Sequence, residues 1–232
     1  KEAIPHILEG RDIMGLAQTG TGKTAAFVLP LLQKLMTGPR KKTRALIVAP
    51  TRELAEQIHV NILKMAGKTG LKSVVVYGGV GKQPQIRGIQ AGAEIIVACP
   101  GRLLDLHRSG AFSLKSVEML VLDEADHMFD QGFLPDVRRI LAQLPKNRQS
   151  LIFSATMPPQ IRHLAKDVLT NPANVQINHT MPAPTIAHTL MQVTQAQKTT
   201  VLKNMLCDWK NSTTLVFTRT KHKAKSLAIV LQ

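Results

Sequence analysis

Three kinds of side chain are scarce in this chain of 232 residues: aromatic, acidic and thiol. Aromatics make up 3% of it, with Tyr77 and Trp209 as the single tyrosine and tryptophan. A surface that holds nucleic acid by stacking bases on rings needs more than that, so base stacking is excluded as the dominant mode of recognition. Asp and Glu total 15 against 30 Lys and Arg, a formal net charge of +15. That imbalance points to a polyanionic partner, most often nucleic acid. Cys99 and Cys207 stand far apart, which excludes a disulfide framework and a zinc pattern and suits a reducing, cytoplasmic setting. Long apolar runs are missing as well. None approaches the ~20 residues of a membrane span, so no membrane partner is expected. No signal peptide is visible, and the chain opens on Lys1 rather than methionine.

What is present is a series of short apolar runs: Ile13–Leu16, Ala45–Ala49, Val74–Tyr77, Ile95–Ala98, Met119–Leu122 and Leu151–Phe153. They are rich in branched side chains and do not alternate with polar residues, which is how strands buried on both faces of a parallel sheet read. Helix-like stretches separate several of them, at Lys23–Met36, Arg52–Ala66, Phe133–Leu144 and Gln160–Leu169. Alternation of strand and helix predicts a doubly wound α/β domain, here over residues 1–177. In such sheets ligands bind at the carboxyl ends of the strands. The polar motifs fall there: Pro50-Thr51-Arg52, Pro100-Gly101-Arg102, Asp123-Glu124-Ala125-Asp126 and Ser154-Ala155-Thr156. Residues 178–184 carry two prolines and no periodicity, and read as a linker. Beyond it, over 185–232, a strand near Leu190–Val193, a helix from Lys198 to Trp209, a strand at Thr214–Phe217 and a basic helix predict the cut-off start of a second α/β domain. Two strands alone cannot bury much core.

Ala17-Gln18-Thr19-Gly20-Thr21-Gly22-Lys23-Thr24 follows an apolar run and opens a helix. It departs from the strict phosphate-loop pattern G-x-x-x-x-G-K-[ST] only in having Ala17 at the first position. Gly20 and Gly22 let backbone N–H groups wrap phosphates, and the helix N-terminus adds a favourable dipole. Lys23 can reach β- and γ-phosphates, and Thr24 can hold Mg²⁺. Asp123, ending an apolar strand, is placed to hold the same Mg²⁺. Glu124 beside it can position or deprotonate an attacking water. A solvated acidic turn would explain this motif alone, but not its pairing with an upstream phosphate loop. ATP and Mg²⁺ are therefore the expected cofactors.

With Pro-Thr-Arg-Glu-Leu-Ala at 50–55, Gly78-Gly79, and Leu215–Thr220 added, the ordered motif series resembles that of DEAD-box RNA helicases, and the resemblance covers the whole chain. The wording around Leu215–Thr220, with Lys221-His222, is similar to the bacterial RhlE-like branch. The resemblance implies a P-loop (RecA-like) first domain and an ATP-dependent RNA helicase. In that family ATP binding closes two domains on bent RNA, a short duplex is prised apart, and hydrolysis releases the strand. It implies that Asp126, Ser154 and Thr156 couple nucleotide state to closure. It implies too that Pro50, Thr51, Arg52, Gly79, Gly101, Arg102 and, from the second domain, Thr218 contact the RNA backbone. Such contacts grip single strand or short duplex without reading bases. Ribosome-assembly or RNA-decay proteins are the candidate protein partners.

Three departures accompany the resemblance. Cys99 stands where the family has Thr, and a thiol is a weak donor. The family's adenine-reading glutamine would fall just before Lys1, and its γ-phosphate-facing arginines beyond Gln232, so the chain alone is not expected to unwind RNA. Competing readings are an ATP-gated RNA clamp, which intact Glu124 disfavours, and a DNA helicase or small-molecule kinase. A kinase gives no reason for Ser154-Ala155-Thr156 or Pro50-Thr51-Arg52. The run Pro39–Lys42 reads as a solvated loop. His107, His127 and His163 lack metal-ligand spacing and read as core or surface residues.

Overall fold

The computed structural model describes residues 2–18, 20–177, 187, 189–209 and 212–231. In it the apolar runs become the centre of one sheet. Strands β1 (Ile13–Leu16), β2 (Ala45–Val48), β3 (Ser73–Val76), β4 (Ile95–Ala98), β5 (Met119–Leu122), β6 (Gln149–Ser154) and β7 (Ala173–Gln176) lie in the order β3-β4-β2-β5-β6-β1-β7. Every pairing is parallel. Helices α1 (Ala3–Leu8), α2 (Lys23–Leu35), α3 (Arg52–Ala66), α4 (Lys82–Gln90), α5 (Pro100–Arg108), α6 (Ala125–Asp130), α7 (Leu134–Leu141) and α8 (Pro159–Val168) cover both faces.

The absence of alternation in the strands follows from this double burial. Along β2, Leu46 and Val48 join a core that includes Leu103, Met128, Ile140 and Leu164 from α5, α6, α7 and α8. Ala45 and Ile47 join the opposite core, with Phe27 and Leu31 from α2 and Ile58 and Ile62 from α3. Parallel crossovers are right-handed. The connections through α2 and α3 step towards β3, and those through α4 to α8 step back towards β7, so the two sets must lie on opposite faces. Neighbouring strands whose helices leave to opposite faces open a crevice at the carboxyl edge. That occurs between β1 and β6, and between β2 and both of its neighbours.

The opposite, amino edge of the sheet is tied by charge. Arg44 donates through Nε and Nη2 to Glu118, at 2.8 and 2.9 Å, and through Nη1 to the carbonyls of Leu35 and Thr37. Buried Glu94 accepts from the N–H groups of Lys41 and Lys72 and from Arg40. Burial alone would push its carboxyl up, but those donors hold it below the usual range. Asp12 joins β6 to the approach of β7 by accepting from the N–H groups of Ser150 and Thr170, both at 2.7 Å. Buried polar groups satisfied in this way fix register rather than weaken the core.

The chain divides into two compact units, Lys1–Thr180 and Met181–Gln232. The linker expected at 178–184 lies outside the described residues. The second unit contains α9 (Lys198–Asp208) and α10 (Lys221–Leu231), close to the two expected helices. The strands expected at Leu190–Val193 and Thr214–Phe217 do not form: these residues have no regular structure. A strand exists only through its ladder partner, and among the described residues of this unit no segment pairs with either. Leu190, Leu215 and Phe217 stay 92%, 78% and 88% exposed, and neither helix buries a residue. Among the described residues no helix is long and apolar enough to cross a membrane.

Candidate nucleotide and nucleic-acid sites

The sheet order sorts the sequence motifs into two neighbouring halves of one rim. Strands β5, β6 and β1 are adjacent, and their carboxyl ends carry Asp123 to Asp126, Ser154 to Thr156 and the phosphate loop. Strands β3, β4 and β2 are likewise adjacent and carry Gly79, Gly101-Arg102 and Pro50-Thr51-Arg52. Neither grouping follows sequence order.

In the phosphate loop Gly20 and Gly22 both have φ of +84°, a backbone region that L side chains rarely adopt, so glycine is required there. The Thr21 hydroxyl donates to the Gln18 carbonyl at 2.8 Å, and the Ala17 N–H donates to the Ser154 carbonyl at 3.0 Å. Thr19 lies outside the described residues. Gly22 forms the N-cap of α2, with Lys23 and Thr24 in its first turn. The loop therefore presents a helix N-terminus and a lysine to a bound anion. A cavity of about 110 Å³ beside it is lined by Ala17, Thr21, Gly22, Lys23, Phe153 and Val175, among others. A second cavity, about 190 Å³, lies between Lys23, Glu124, Asp126, His127, Asp130 and Ala155. Lys23 is the wall common to both.

The acidic motif is held by its own backbone and by β6. Asp123 is 2% exposed and accepts from the Glu124 N–H at 3.0 Å. Burial pushes its carboxyl up to about 6, against the pull of Lys23, while Glu124 and Asp126 add to the rise. Glu124 sits at φ +52°, an uncommon conformation for a residue with a Cβ, and forms the N-cap of α6. Asp126 Oδ2 accepts from both the N–H and the hydroxyl of Thr156, at 2.8 and 2.9 Å, and the Asp126 N–H donates to the Ser154 hydroxyl at 3.2 Å. Burial would raise the Asp126 carboxyl, but the hydrogen bonds from Thr156, Ser154 and Ala155 outweigh it and hold the carboxyl low. The three residues expected to act together are thus one bonded cluster.

Buried Asp123 has no ion-pair partner among the described residues. Its carboxylate, after β5, and the Thr24 hydroxyl, in the first turn of α2, are hard oxygens of the kind that Mg²⁺ takes. Among those residues no cluster of three or more His, Cys, Asp or Glu could hold a metal by itself.

On the other half of the rim, Thr51 caps α3 by accepting from the Leu54 N–H at 3.2 Å, which leaves its own O–H free to donate. The Arg52 guanidinium lies 4.7 Å from the centroid of the Tyr77 ring, and the Tyr77 hydroxyl donates to Glu56. This stacking presets an exposed cation at the end of β2. Arg102 is partly committed: it donates to the Val80 carbonyl at 3.0 Å and faces Asp105 at 3.6 Å, bracing the glycine loop against α5. Cys99 forms the N-cap of α5 without a side-chain cap, and burial, with Glu53 adding, pushes its thiol up to about 11. Thr218 belongs to the second unit, where its hydroxyl donates to the Thr220 carbonyl and a groove of about 660 Å³ is lined by Lys198, Arg219 and Lys223, among others.

Sequence reasoning missed His127 as a site residue. It lines the cavity that contains Lys23 and Glu124, and its Nδ1 lies 3.3 Å from Glu124 Oε2. The available signal was its helical spacing from Glu124, three residues on.

Residues 1–164 match the DEAD/DEAH box helicase family. The chain is 43% identical to an ATP-dependent RNA helicase DBP2 from Mycosarcoma maydis, aligning over 100% of this chain and 43% of that protein. It is 40% identical to the DEAD-box ATP-dependent RNA helicase CshA of Streptococcus pneumoniae, over 98% of this chain and 43% of that one. Among solved structures, a DEAD box protein from the hyperthermophile Methanococcus jannaschii aligns over 99% of this chain and 62% of its own, with 36% identity and a TM-score of 0.72. The chain thus spans about two fifths of the length of these two curated relatives. From its motifs, its sheet and these similarities together, the chain belongs to the DEAD/DEAH box helicase family.

Proposed function

We propose that this chain carries the ATP-hydrolysing half of an RNA helicase, in which ATP turnover is coupled to local remodelling of RNA. The observation that carries the reading is the contiguous rim: a phosphate-loop half and a half bearing Thr51, Arg52, Gly79, Gly101 and Arg102, on one sheet edge. The loop N–H groups and Lys23 bind the β- and γ-phosphates. Mg²⁺, held by Asp123 and Thr24, would neutralise charge that develops on the phosphates. Glu124 orients the attacking water and accepts its proton as the γ-phosphoryl passes to the water oxygen and ADP leaves. The bonded cluster of Asp126, Ser154 and Thr156 relays the nucleotide state, and Thr51, Arg52 and Arg102 hold phosphates and sugars without reading bases. Thr218 adds a contact from a second domain, of which this chain holds the start. We further place the protein in the cytoplasm and in the RhlE-like branch, on the wording around Leu215–Thr220, with ribosome-assembly or RNA-decay proteins as partners.

The test is ATP hydrolysis by the full-length protein with single-stranded RNA, with DNA and with neither. Stimulation by RNA alone is expected. Lys23→Ala should abolish ATP binding, and Glu124→Gln should keep ATP and RNA binding but lose ~10²–10⁴-fold in turnover, the usual contribution of a positioned acid–base group. Equal stimulation by DNA, or parental turnover in Glu124→Gln, overturns the assignment.

A further inference from the structure

Glu124 is fixed at its backbone, yet its carboxylate is 22% exposed and has one side-chain hydrogen-bond partner among the described residues, His127. The two lie three residues apart at the start of α6. Four residues further on, Gln131 Nε2 lies 2.9 Å from His127 Nε2. Helical spacing therefore stacks Gln131, His127 and Glu124 in one row, and the row ends in the cavity lined by Lys23, Asp126, Asp130 and Ala155.

The chemistry of this row determines where the imidazole proton sits. The amide NH₂ of Gln131 can only donate, so His127 Nε2 must accept, and the single ring proton of neutral histidine is on Nδ1. Nδ1–H then donates to Glu124 Oε2. If the amide is turned so that its oxygen faces Nε2–H, an unprotonated Nδ1 would set a lone pair against a carboxylate. That contact survives only if Nδ1 is also protonated. Each arrangement that satisfies both contacts thus has Nδ1–H directed at Glu124.

We propose that His127, oriented by Gln131, is a positioning residue that holds one oxygen of the Glu124 carboxylate so that the other faces the attacking water. The proposal rests on the role of Glu124 given above. The row is partly exposed, with His127 44% accessible, so it contributes little to folding. Its effect is on the orientation of the base, where small displacements weigh heavily on rate.

The experiment measures kcat and KM for ATP in RNA-stimulated hydrolysis by the full-length protein, with Tm as a control for folding. His127→Ala should lower kcat roughly tenfold, the worth of one hydrogen bond to a charged group, with KM and Tm little changed. His127→Asn should restore most of the rate, since its amide N–H falls near the position of Nδ1. His127→Gln places its amide nearer Nε2 and should not. Gln131→Ala should give a smaller loss in kcat. In a Glu124→Gln background, His127→Ala should cost nothing more, because the base it orients is gone. Parental kcat in His127→Ala, equal losses in His127→Asn and His127→Ala, or a full further loss in the Glu124→Gln background overturns the proposal. Failure of the Glu124 role itself would show separately, as undiminished hydrolysis in Glu124→Gln alone.

Discussion

Replacing Asp123 by asparagine should make the nucleotide-free protein more stable while destroying its proposed metal site. The carboxyl ends β5 at 2% exposure, and burial lifts its pKa from the ordinary 3.8 to about 6. A pKa raised in the folded state means that the native protein binds this proton more tightly than the unfolded chain does. Below pH 3.8 both states are protonated and the group carries no penalty. As pH rises the unfolded chain ionises first, and the native state is progressively disfavoured until the penalty levels off above about 6. An interval of about two pH units at 1.36 kcal/mol each sets an upper bound of about 3 kcal/mol. Asparagine is neutral throughout and keeps an oxygen for the Glu124 N–H, which Asp123 accepts at 3.0 Å. Its NH₂ group needs a new partner, so the expected gain at pH 8 is about 1–3 kcal/mol. Urea unfolding of parent and variant at pH 5, 6.5 and 8, alongside ATP hydrolysis, checks this. The stability gap should widen with pH and hydrolysis should be lost. A gap independent of pH, or a variant less stable than the parent at pH 8, would refute the account of Asp123 as a charge kept at a cost for function.

Other expectations follow from packing and thiol chemistry. A Cβ at Gly15 would stand 2.5 Å from Cδ1 of Phe153, whose ring packs on Phe27, so Gly15→Ala should destabilise by ~1–3 kcal/mol of overpacking, read by urea unfolding. With its thiol pushed up to about 11, Cys99 should resist iodoacetamide at pH 8 while exposed Cys207 reacts, which peptide mapping would reveal. Cys99→Thr should supply the missing cap of α5 and change RNA affinity by only about 0.5–1.5 kcal/mol, a typical net hydrogen bond. Thr156→Val removes one of two bonds to Asp126, and should leave ATP affinity within a few-fold while weakening the dependence of hydrolysis on RNA.

The central strands were legible because burial on both faces writes them as unbroken apolar runs. Strand β7 was not, because Ala173-Asn174-Val175-Gln176 lies at an edge, paired only with β1, and half of it faces water. Helix α4 was hidden by Pro84 near its start and by Gly88. That glycine reads as a break, but a Cβ there would stand 2.8 Å from Val74, so it serves close approach of helix to sheet. The runs at Leu190–Val193 and Thr214–Phe217 have strand-like composition, but composition cannot supply a ladder partner. For the candidate site, motif spacing singled out Lys23, Asp123 and Asp126, whose placement depends on local backbone. The division of the rim into two halves depends on strand order, which no local pattern contains. His127 escaped notice because it was weighed as a metal ligand rather than as a helical neighbour of Glu124.

Ser154 belongs to two motifs at once, through different atoms. Its carbonyl receives the first N–H of the phosphate loop, and its hydroxyl receives the N–H of Asp126. Mutation can reach only the second of these bonds, because the carbonyl is present whatever residue stands there. The connection between loop and strand is therefore protected from sequence change, while the connection between strand and acidic motif can be tuned by a single atom. Divergence among proteins built on this plan can alter how firmly the acidic motif is held to β6 without loosening the attachment of the phosphate loop to that strand.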